Sequence, residues 1–367
     1  MTVSRPAAVV ILAAGAGTRM KSQVPKVLHP ICGATMLDHA LAAARELDPA
    51  GLIVVVGHRR REVIGHLAGH APDARVVIQP EQGGTGHAVR MVVEAAGLGQ
   101  GTVVVTYGDT PLLRGQTLAS LAREHAAQQA AVTALTAVLD DPTGYGRILR
   151  DDRGAFLAIV EETDASPVQK AVTEVNSGVY AFDAALLADT VKRLPTDNAK
   201  GEDYLPDAVA ILRAEGHRVA SVTMADCDEV RGVNDQVQLA HARRILNARI
   251  LDHWMRAGVT IADPLTTSID VGVVLAQDVE IGPGTQLEGT TVVEPGARVG
   301  PGCLLRDTKV GRGAAVTHAV CVSAEIGPGA TAGPFSYLPP GTKLDGQKSG
   351  QPEAGGGGPR RKGAQEA

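Results

Sequence analysis

Short β-branched apolar runs alternate with longer Ala- and Leu-rich stretches up to about residue 235. That alternation marks βα units around a mostly parallel sheet, whose strands are buried on both faces and so read as continuous apolar runs. The expected strands are AAVVILAA from Ala7, LIVVVG from Leu52, RVVIQ from Arg75, TVVVTYGD from Thr102, AVTALTAVL from Ala131, FLAIVEE from Phe156 and VNSGVYAF from Val175. Between them TMLDHALAAAREL and GHAVRMVVEAAG place apolar residues at helical spacing, and Thr35 is suited to cap the first. From Asp235 to Gly258 the period changes. Leu239, Ala242, Leu246, Ile250 and Trp254 fall three or four apart, on one face of a single long helix that Gly258 is placed to end.

Beyond the helix the chain repeats itself. Ile269, Leu275, Ile281, Leu287, Val293, Val299 and Leu305 recur at intervals of six, and with 44% of the chain apolar seven such hits in one frame have a chance probability of roughly 0.3%. The register slips after Leu305 and resumes at Val310, Val316 and Ile326, with Gly or Pro near most repeats. One short strand per hexad and three hexads per turn give a triangular parallel β-helix, of roughly four coils between Ile269 and Leu344. A flexible Gly/Pro-rich segment would not keep an apolar period. The final stretch, DGQKSGQPEAGGGGPRRKGAQEA, has almost no apolar residue and is expected to be disordered. The expected organisation is an α/β domain over 1–234, a linker helix over 235–260, a β-helix over 261–345 and a tail over 346–367.

Composition narrows the function. Lys and Arg number 35 against 40 Asp and Glu, a net charge of -5, which leaves no footprint for a polyanionic nucleic acid. Aromatic residues make up 2% of the chain, so base-stacking platforms are not expected either. No run of about 18 apolar residues exists for a spanning helix, and MTVSRPAAVVILAAGAGTRM breaks too soon for a complete signal peptide. Cys32, Cys227, Cys303 and Cys321 are far apart and form no CxxC; neither a zinc site nor a disulfide framework follows from them, and a reducing cytoplasm fits.

The first expected strand runs into LAAGAGTRMKSQVPK. There Gly15 and Gly17 let backbone amides approach phosphates, and Arg19 and Lys26 supply fixed positive charge. No GKS or GKT follows, so the loop is not a Walker A motif, and Met20 stands where the dinucleotide fingerprint needs its third glycine. Taken alone it is equally a plain Gly-rich turn.

The later motifs decide. LAAGAGTRMKSQVPKVLHPICG, QPEQGGTGHAV, TYGDTPLL, DDPTGYGRI, IVEETDA, EVNSGVYAF, NAKGEDYLPD and RGVNDQVQL follow one another in order. With them the chain, from about Ala7 to Gly341, resembles the sugar-1-phosphate nucleotidyltransferases. Within these it resembles the bacterial bifunctional UDP-N-acetylglucosamine pyrophosphorylase/glucosamine-1-phosphate acetyltransferases. The resemblance implies a Rossmann-like nucleotide-diphospho-sugar transferase domain followed by a short left-handed β-helix. It also implies uridylyl transfer from UTP to N-acetylglucosamine 1-phosphate with Mg2+ and release of pyrophosphate, a step in peptidoglycan precursor synthesis.

Several roles follow from this resemblance. Leu12, Ala13, Ala14 and Gly15 cradle the nucleotide through main-chain atoms, Gln79 pairs with the uracil edge, and Gly84 and Thr85 admit the base. Arg19 and Lys26 are the catalytic cations on the triphosphate. Tyr107, Gly108, Gly146, Glu161, Asn176 and Asn234 surround the N-acetylhexosamine. Asp109 and Asn234 are the Mg2+ ligands, in keeping with that ion's preference for a few hard oxygens. From sequence alone Asp109 could also be a turn residue before Pro111, Asn234 the N-cap of the long helix, and Glu161 a charged strand end. No general base is required, because a phosphate monoester is largely ionised at neutral pH; His39 and His87 are expected to pack or face solvent.

Two departures stand out. Pro206 occupies a position where the family usually has threonine, which removes a hydroxyl near the substrate. In GPFSYLPPG, Pro339 replaces the arginine of the acetyltransferase motif, and the lysine, the histidine and the acetyl-CoA-binding coils have no counterpart. Loss of the acetyltransferase activity is therefore expected. A homotrimer through the β-helix is the expected assembly. The alternatives are a nucleotidyltransferase for another base or sugar, such as dTTP with glucose 1-phosphate, and a catalytically silent UDP-sugar sensor or assembly protein. GTGHA and the hexad repeat argue against the first, and joint retention of Arg19, Lys26, Asp109 and Asn234 against the second.

Overall fold

The computed structural model describes residues 5–346, so nearly all of the tail expected to be disordered lies outside the described residues. The chain divides into two compact units, Met1–Ala248 and Arg249–Ala367.

The first unit is built on one nine-stranded sheet. Its strands and a small hairpin are β1 (Ala8–Ala13), β2 (Pro30–Ile31), β3 (Ala34–Thr35), β4 (Leu52–Val56), β5 (Arg75–Ile78), β6 (Thr102–Tyr107), β7 (Val132–Val138), β8 (Arg147–Arg150), β9 (Phe156–Val160), β10 (Glu174–Asp183) and β11 (Val219–Thr223). The order is β11-β7-β10-β6-β1-β4-β5, with β8 paired to β10 and β9, while β2 and β3 pair only with each other. β1 runs parallel to both β4 and β6. All six residues of β1 and all five of β4 are buried, as central parallel strands covered on both faces require. Each of the seven expected runs forms a strand.

The sheet is less parallel than the runs suggest. β10 is antiparallel to β6 and to β7, and β8 to β9. Strand direction leaves no mark on apolar periodicity, so only the connections could show it. β8 and β11 also escape the pattern: β8 carries Arg147 and Arg150 at its ends, and β11 is largely half-buried.

The helices of this unit are α1 (Met36–Arg45), α2 (Arg60–His70), α3 (Thr85–Ala96), α4 (Gly115–Gln128), α5 (Pro167–Lys170), α6 (Ala184–Thr190) and α7 (Asp207–Ala214). α1 opens on a capping box in which Thr35 accepts from the Asp38 amide and Asp38 reaches back to the Thr35 amide. Two clusters of buried side chains cover the two faces of the sheet, one around Val10, Val89, Val105 and Phe182, the other around Ile11, Leu41, Val104 and Leu118. β1 feeds both, because successive strand residues point to opposite faces.

α8 (Gln236–Arg256) crosses the boundary between the units. In the first unit its Leu239 and Ala242 pack with Met20, Ile31, Met36, Leu112 and Val233. Gly258, at φ 93°, follows its last turn, a conformation that favours glycine at a helix end.

The second unit is a short left-handed parallel β-helix. Three sheets of five strands each form its faces, starting at Thr260, Ser268 and Val274. Each face carries five strands separated by four coil steps, and the face starting at Thr260 begins before the first hexad residue, Ile269. The seven hexad residues from Ile269 to Leu305 are all buried. A step of five residues from Leu305 to Val310 accounts for the slip, and Cys321, Ala332 and Leu338 carry the buried row onward.

Candidate active site

Two cavities of the first unit are lined by residues that follow the carboxyl ends of its strands, the place where open α/β sheets bind ligands. The larger, of about 500 Å3, is walled by Leu12 to Arg19 after β1, Gln79 and Gln82 after β5, Gly84 and Thr85 at the start of α3, and Lys200 and Glu202. The smaller, of about 280 Å3, is walled by Thr143 to Gly146, Glu161, Asn176 to Gly178 and Gly232. Arg19, Tyr107, Asp109 and Asn234 belong to both.

At that junction four polar groups converge. The Lys26 ammonium donates to Asp109 Oδ2 and, at 2.7 Å, to Asn234 Oδ1. Arg19 donates to the same Asn234 oxygen at 2.9 Å. The pair is well enclosed: the Lys26 side chain is 11% exposed and that of Asp109 21%. Two hard oxygens, one of them anionic, thus face a single cationic point, and such a donor set suits a hard divalent cation. Backbone bonds fix the ends, with the Gly108 amide donating to the Leu12 carbonyl and the Val233 amide to the Asp109 carbonyl.

The alternatives left open by sequence resolve here. Asp235, not Asn234, caps α8: its carboxylate accepts from the Gln238 amide, while Gln238 reaches back to the Asn234 amide. The Asn234 side chain is left to the cations. Asp109 likewise spends its carboxylate on Lys26, and the turn beyond β6 is held by the Thr110 hydroxyl donating to the Tyr107 carbonyl.

Glycines shape the loop after β1. Gly17, at φ 61°, lies where a Cβ would come within 2.6 Å of the Lys26 Cβ, so only glycine lets Lys26 cross at this height. Nothing lies within 4 Å of the same position on Gly15, which leaves that side of the loop open to a ligand. The Ala14 carbonyl is engaged by the His58 amide and by Gln82.

In the wall of the larger cavity Gln79 is buried and donates to the Gly84 carbonyl at 3.0 Å, leaving its own side-chain oxygen to accept. The Thr85 hydroxyl accepts from the Leu205 amide, so it holds the 198–206 loop as well as walling the cavity. Gly86 donates to the Asp203 carbonyl, Asp203 donates back to Gly83, and Arg90 forms an ion pair with Asp203 at 2.7 Å.

On the other side, β10 has its register broken between Asn176 and Tyr180. Such a bulge re-aims side chains, and here it places Asn176 in the cavity wall beside Gly146, whose carbonyl accepts from the Asn176 amide. Gly178, at φ 80°, approaches the Tyr107 ring so closely that a Cβ would lie 2.5 Å from it. Burial pushes the Tyr107 phenol well above its usual range, with Glu161 and Asp109 adding to the effect. It remains a protonated donor. Burial also raises the Glu161 carboxyl, against the pull of Lys200 and with Asp207 and Asp164 reinforcing it.

The structure therefore brings Arg19, Lys26, Asp109 and Asn234 into contact, and groups Tyr107, Gly146, Glu161 and Asn176 around one cavity. Gly108 walls neither cavity; it packs against Ala13, Val27 and Leu37. Pro206 also lies in neither wall, and it precedes the first residue of α7. His39 packs, with its ring nitrogen 2.9 Å from the Ile31 carbonyl, and His87 faces Gln79.

Three contributors had gone unnoticed in the sequence. Lys200 walls the larger cavity from within NAKGEDYLPD. Arg147, 1% exposed, forms an ion pair with Glu162 at 2.8 Å and holds the turn before β8, where the Gly144 amide donates to the same carboxylate. Gly178 makes room for Tyr107. Lys200 and Arg147 both had a visible signal, each being a cation inside a motif, NAKGEDYLPD and DDPTGYGRI.

Residues 9–174 match the MobA-like NTP transferase domain, a span that includes Arg19, Lys26 and Asp109 but stops before Asn234. The chain is 57% identical over 346 residues to the bifunctional protein GlmU of Streptomyces avermitilis, covering 94% of this chain and 72% of that protein. It is 56% identical over the same shares to the bifunctional protein GlmU of Streptomyces coelicolor. To that of Thermobifida fusca it is 57% identical over 332 residues, 89% of this chain and 69% of the relative.

Proposed function

The chain belongs to the family of the bifunctional GlmU proteins, and on that premise we propose that it forms UDP-N-acetylglucosamine and pyrophosphate from UTP and N-acetylglucosamine 1-phosphate. The observation that carries this reading is the pair of cavities meeting at Arg19, Tyr107, Asp109 and Asn234. Two substrates can lie one in each, with the reacting atoms at the shared wall.

In the reaction a phosphate oxygen of the sugar phosphate forms a bond to the α-phosphorus of UTP. The bond from that phosphorus to the oxygen bridging the α- and β-phosphates of UTP breaks, and the electron pair leaves on that oxygen, now a terminal oxygen of pyrophosphate. The attacking oxygen is already anionic, so no side chain has to remove a proton. Catalysis rests on alignment and on charge placed where it develops. Lys26 and Arg19 meet the triphosphate, Gln79 and Gly84 hold the base, and Glu161, Asn176 and the Gly146 backbone hold the sugar. Asp109 and Asn234 are suited to hold Mg2+, which supplies charge neutralisation on the phosphates when bound.

The reading extends to the organisation of the chain, with residues 1–234 as the transferase domain and 261–345 as the β-helix. Within the described coils Pro339 stands where the acetyltransferase motif has arginine, and we include absence of acetyl transfer in the proposal. The test is release of pyrophosphate from UTP and Mg2+ with N-acetylglucosamine 1-phosphate or glucosamine 1-phosphate, with thiol release from acetyl-CoA followed in parallel. Turnover of the acetylated sugar without thiol release is expected. Thiol release would overturn the second half, and absence of pyrophosphate from folded protein with any sugar phosphate would favour the sensor reading.

A further inference from the structure

α1 and α2 bring together three side chains that the transferase chemistry does not use. His66 and His70 lie four residues apart on α2 and so share one face. Their rings stack with centroids 4.0 Å apart and planes inclined by 29°. Both face one oxygen of Asp38 in the first turn of α1: Oδ1 is 2.8 Å from His66 Nε2 and 3.3 Å from His70 Nδ1. The three ligand atoms lie within 4.8 Å of one another.

The carboxylate is already oriented. Its other oxygen, Oδ2, accepts from the Thr35 amide at 3.0 Å and from the Thr35 hydroxyl at 2.7 Å, as part of the capping box. Oδ1 is left to the histidines. The His66 and Asp38 side chains are 14% and 17% exposed, whereas that of His70 is 55% exposed, so the cluster is anchored on one side and open on the other.

We propose that Asp38, His66 and His70 form a binding site for a borderline divalent metal ion such as Zn2+, separate from the oxygen site at Asp109 and Asn234. Two imidazole nitrogens and one carboxylate oxygen are the ligands such ions prefer, whereas Mg2+ favours oxygen alone. Tetrahedral coordination with bonds of about 2.0–2.2 Å separates ligand atoms by roughly 3.3–3.6 Å. The observed 2.8 and 3.3 Å come within small rotamer adjustments of that spacing. Thr35, bonded to Asp38 Oδ2, is the hydrogen-bonded second layer that steadies a ligating carboxylate. Solvent on the His70 side offers the fourth ligand.

The site is a clip and not a hydrolytic centre. Zinc peptidases with two histidines at this spacing carry a glutamate beside the first. Here Leu67 follows His66 and is 2% exposed. A metal here ties α1 to α2. Leu37, the neighbour of Asp38, packs against Gly108, so the tie holds the element that supports the turn at Asp109.

Calorimetric titration of the metal-stripped full chain with zinc chloride tests the site, alongside His70→Ala and His66→Gln variants. His70→Ala alters a half-exposed residue outside the transferase cavities, so it should keep the wild-type circular dichroism and the wild-type rate of pyrophosphate release in zinc-free buffer. The wild type should bind one equivalent, with at least a tenfold weaker dissociation constant in each variant. Cobalt(II) should give the visible absorption of a four-coordinate nitrogen and oxygen site, lost in His70→Ala. No stoichiometric binding by the wild type, or equal affinity in wild type and both variants, would overturn the proposal.

Discussion

Lys26 lines the larger cavity, and its ammonium meets Asp109 and Asn234, which wall both cavities. Lys26→Met keeps much of the side chain's length and removes the charge; kcat should fall about 100- to 1000-fold, the range for losing one preorganised charge-stabilising group, measured by pyrophosphate release. Glu161 carries a different expectation. Burial holds its carboxyl above the ordinary value of 4.5, with Lys200 opposing the rise and Asp207 and Asp164 reinforcing it. The folded protein therefore keeps this proton to higher pH than the unfolded chain does. Its contribution to stability is most favourable at low pH, declines as pH rises from the ordinary value through the raised one, and stays low above it. Glu161→Gln removes the buried charge. Its thermal midpoint should exceed that of the wild type near about pH 8 and converge with it near about pH 4, while KM for the sugar phosphate rises about tenfold or more as a charge-assisted hydrogen bond is lost. A midpoint difference independent of pH would contradict this account. At this scale the motif-borne residues were legible, because phosphate chemistry demands glycine, cation and carboxylate at fixed spacings. Arg147 and Gly178 also lie inside motifs, but their roles were not legible there, since one is defined by a partner, Glu162, and the other by the approach of Tyr107 from another strand.

Among the elements, the hexad was the most readable signal in the chain, because each repeat puts a large apolar residue into the core, beside smaller buried ones such as Ala297, Ala314 and Ala330. Leu305 sits at the last regular step and is fully buried, and its carbonyl accepts from the Thr291 hydroxyl. Leu305→Ala should cost about 2–5 kcal/mol, measured by urea unfolding, and more than the same change at half-exposed Leu304. The strands of the first unit were readable for a related reason: β1 and β4 are apolar throughout because both faces are covered. α2 was harder to read, because five of its eleven residues are Arg, Glu or His and only Val63 and Leu67 are buried. The bulge in β10 left no sequence mark beyond its glycine, yet it lies where Asn176 joins the wall of the smaller cavity.

For the molecule as a whole, no helix among the described residues is long and apolar enough to cross a membrane. Exposed on the β-helix are Val274, Val320, Phe335 and Tyr337, with Phe335 86% exposed, a cost in water that association would relieve. The homotrimer expected from the resemblance predicts a light-scattering mass three times the 37.9 kDa of the chain, and a mass of one chain would remove that expectation. A last consequence belongs to Tyr107. Its ring walls both cavities, and Gly178 lies so close to it that any Cβ there would clash. Whatever fills one cavity thereby sets the position of a partition for the next arrival. On the proposed reading, each substrate changes the affinity for the other by the same factor, and that coupling passes through a single aromatic ring.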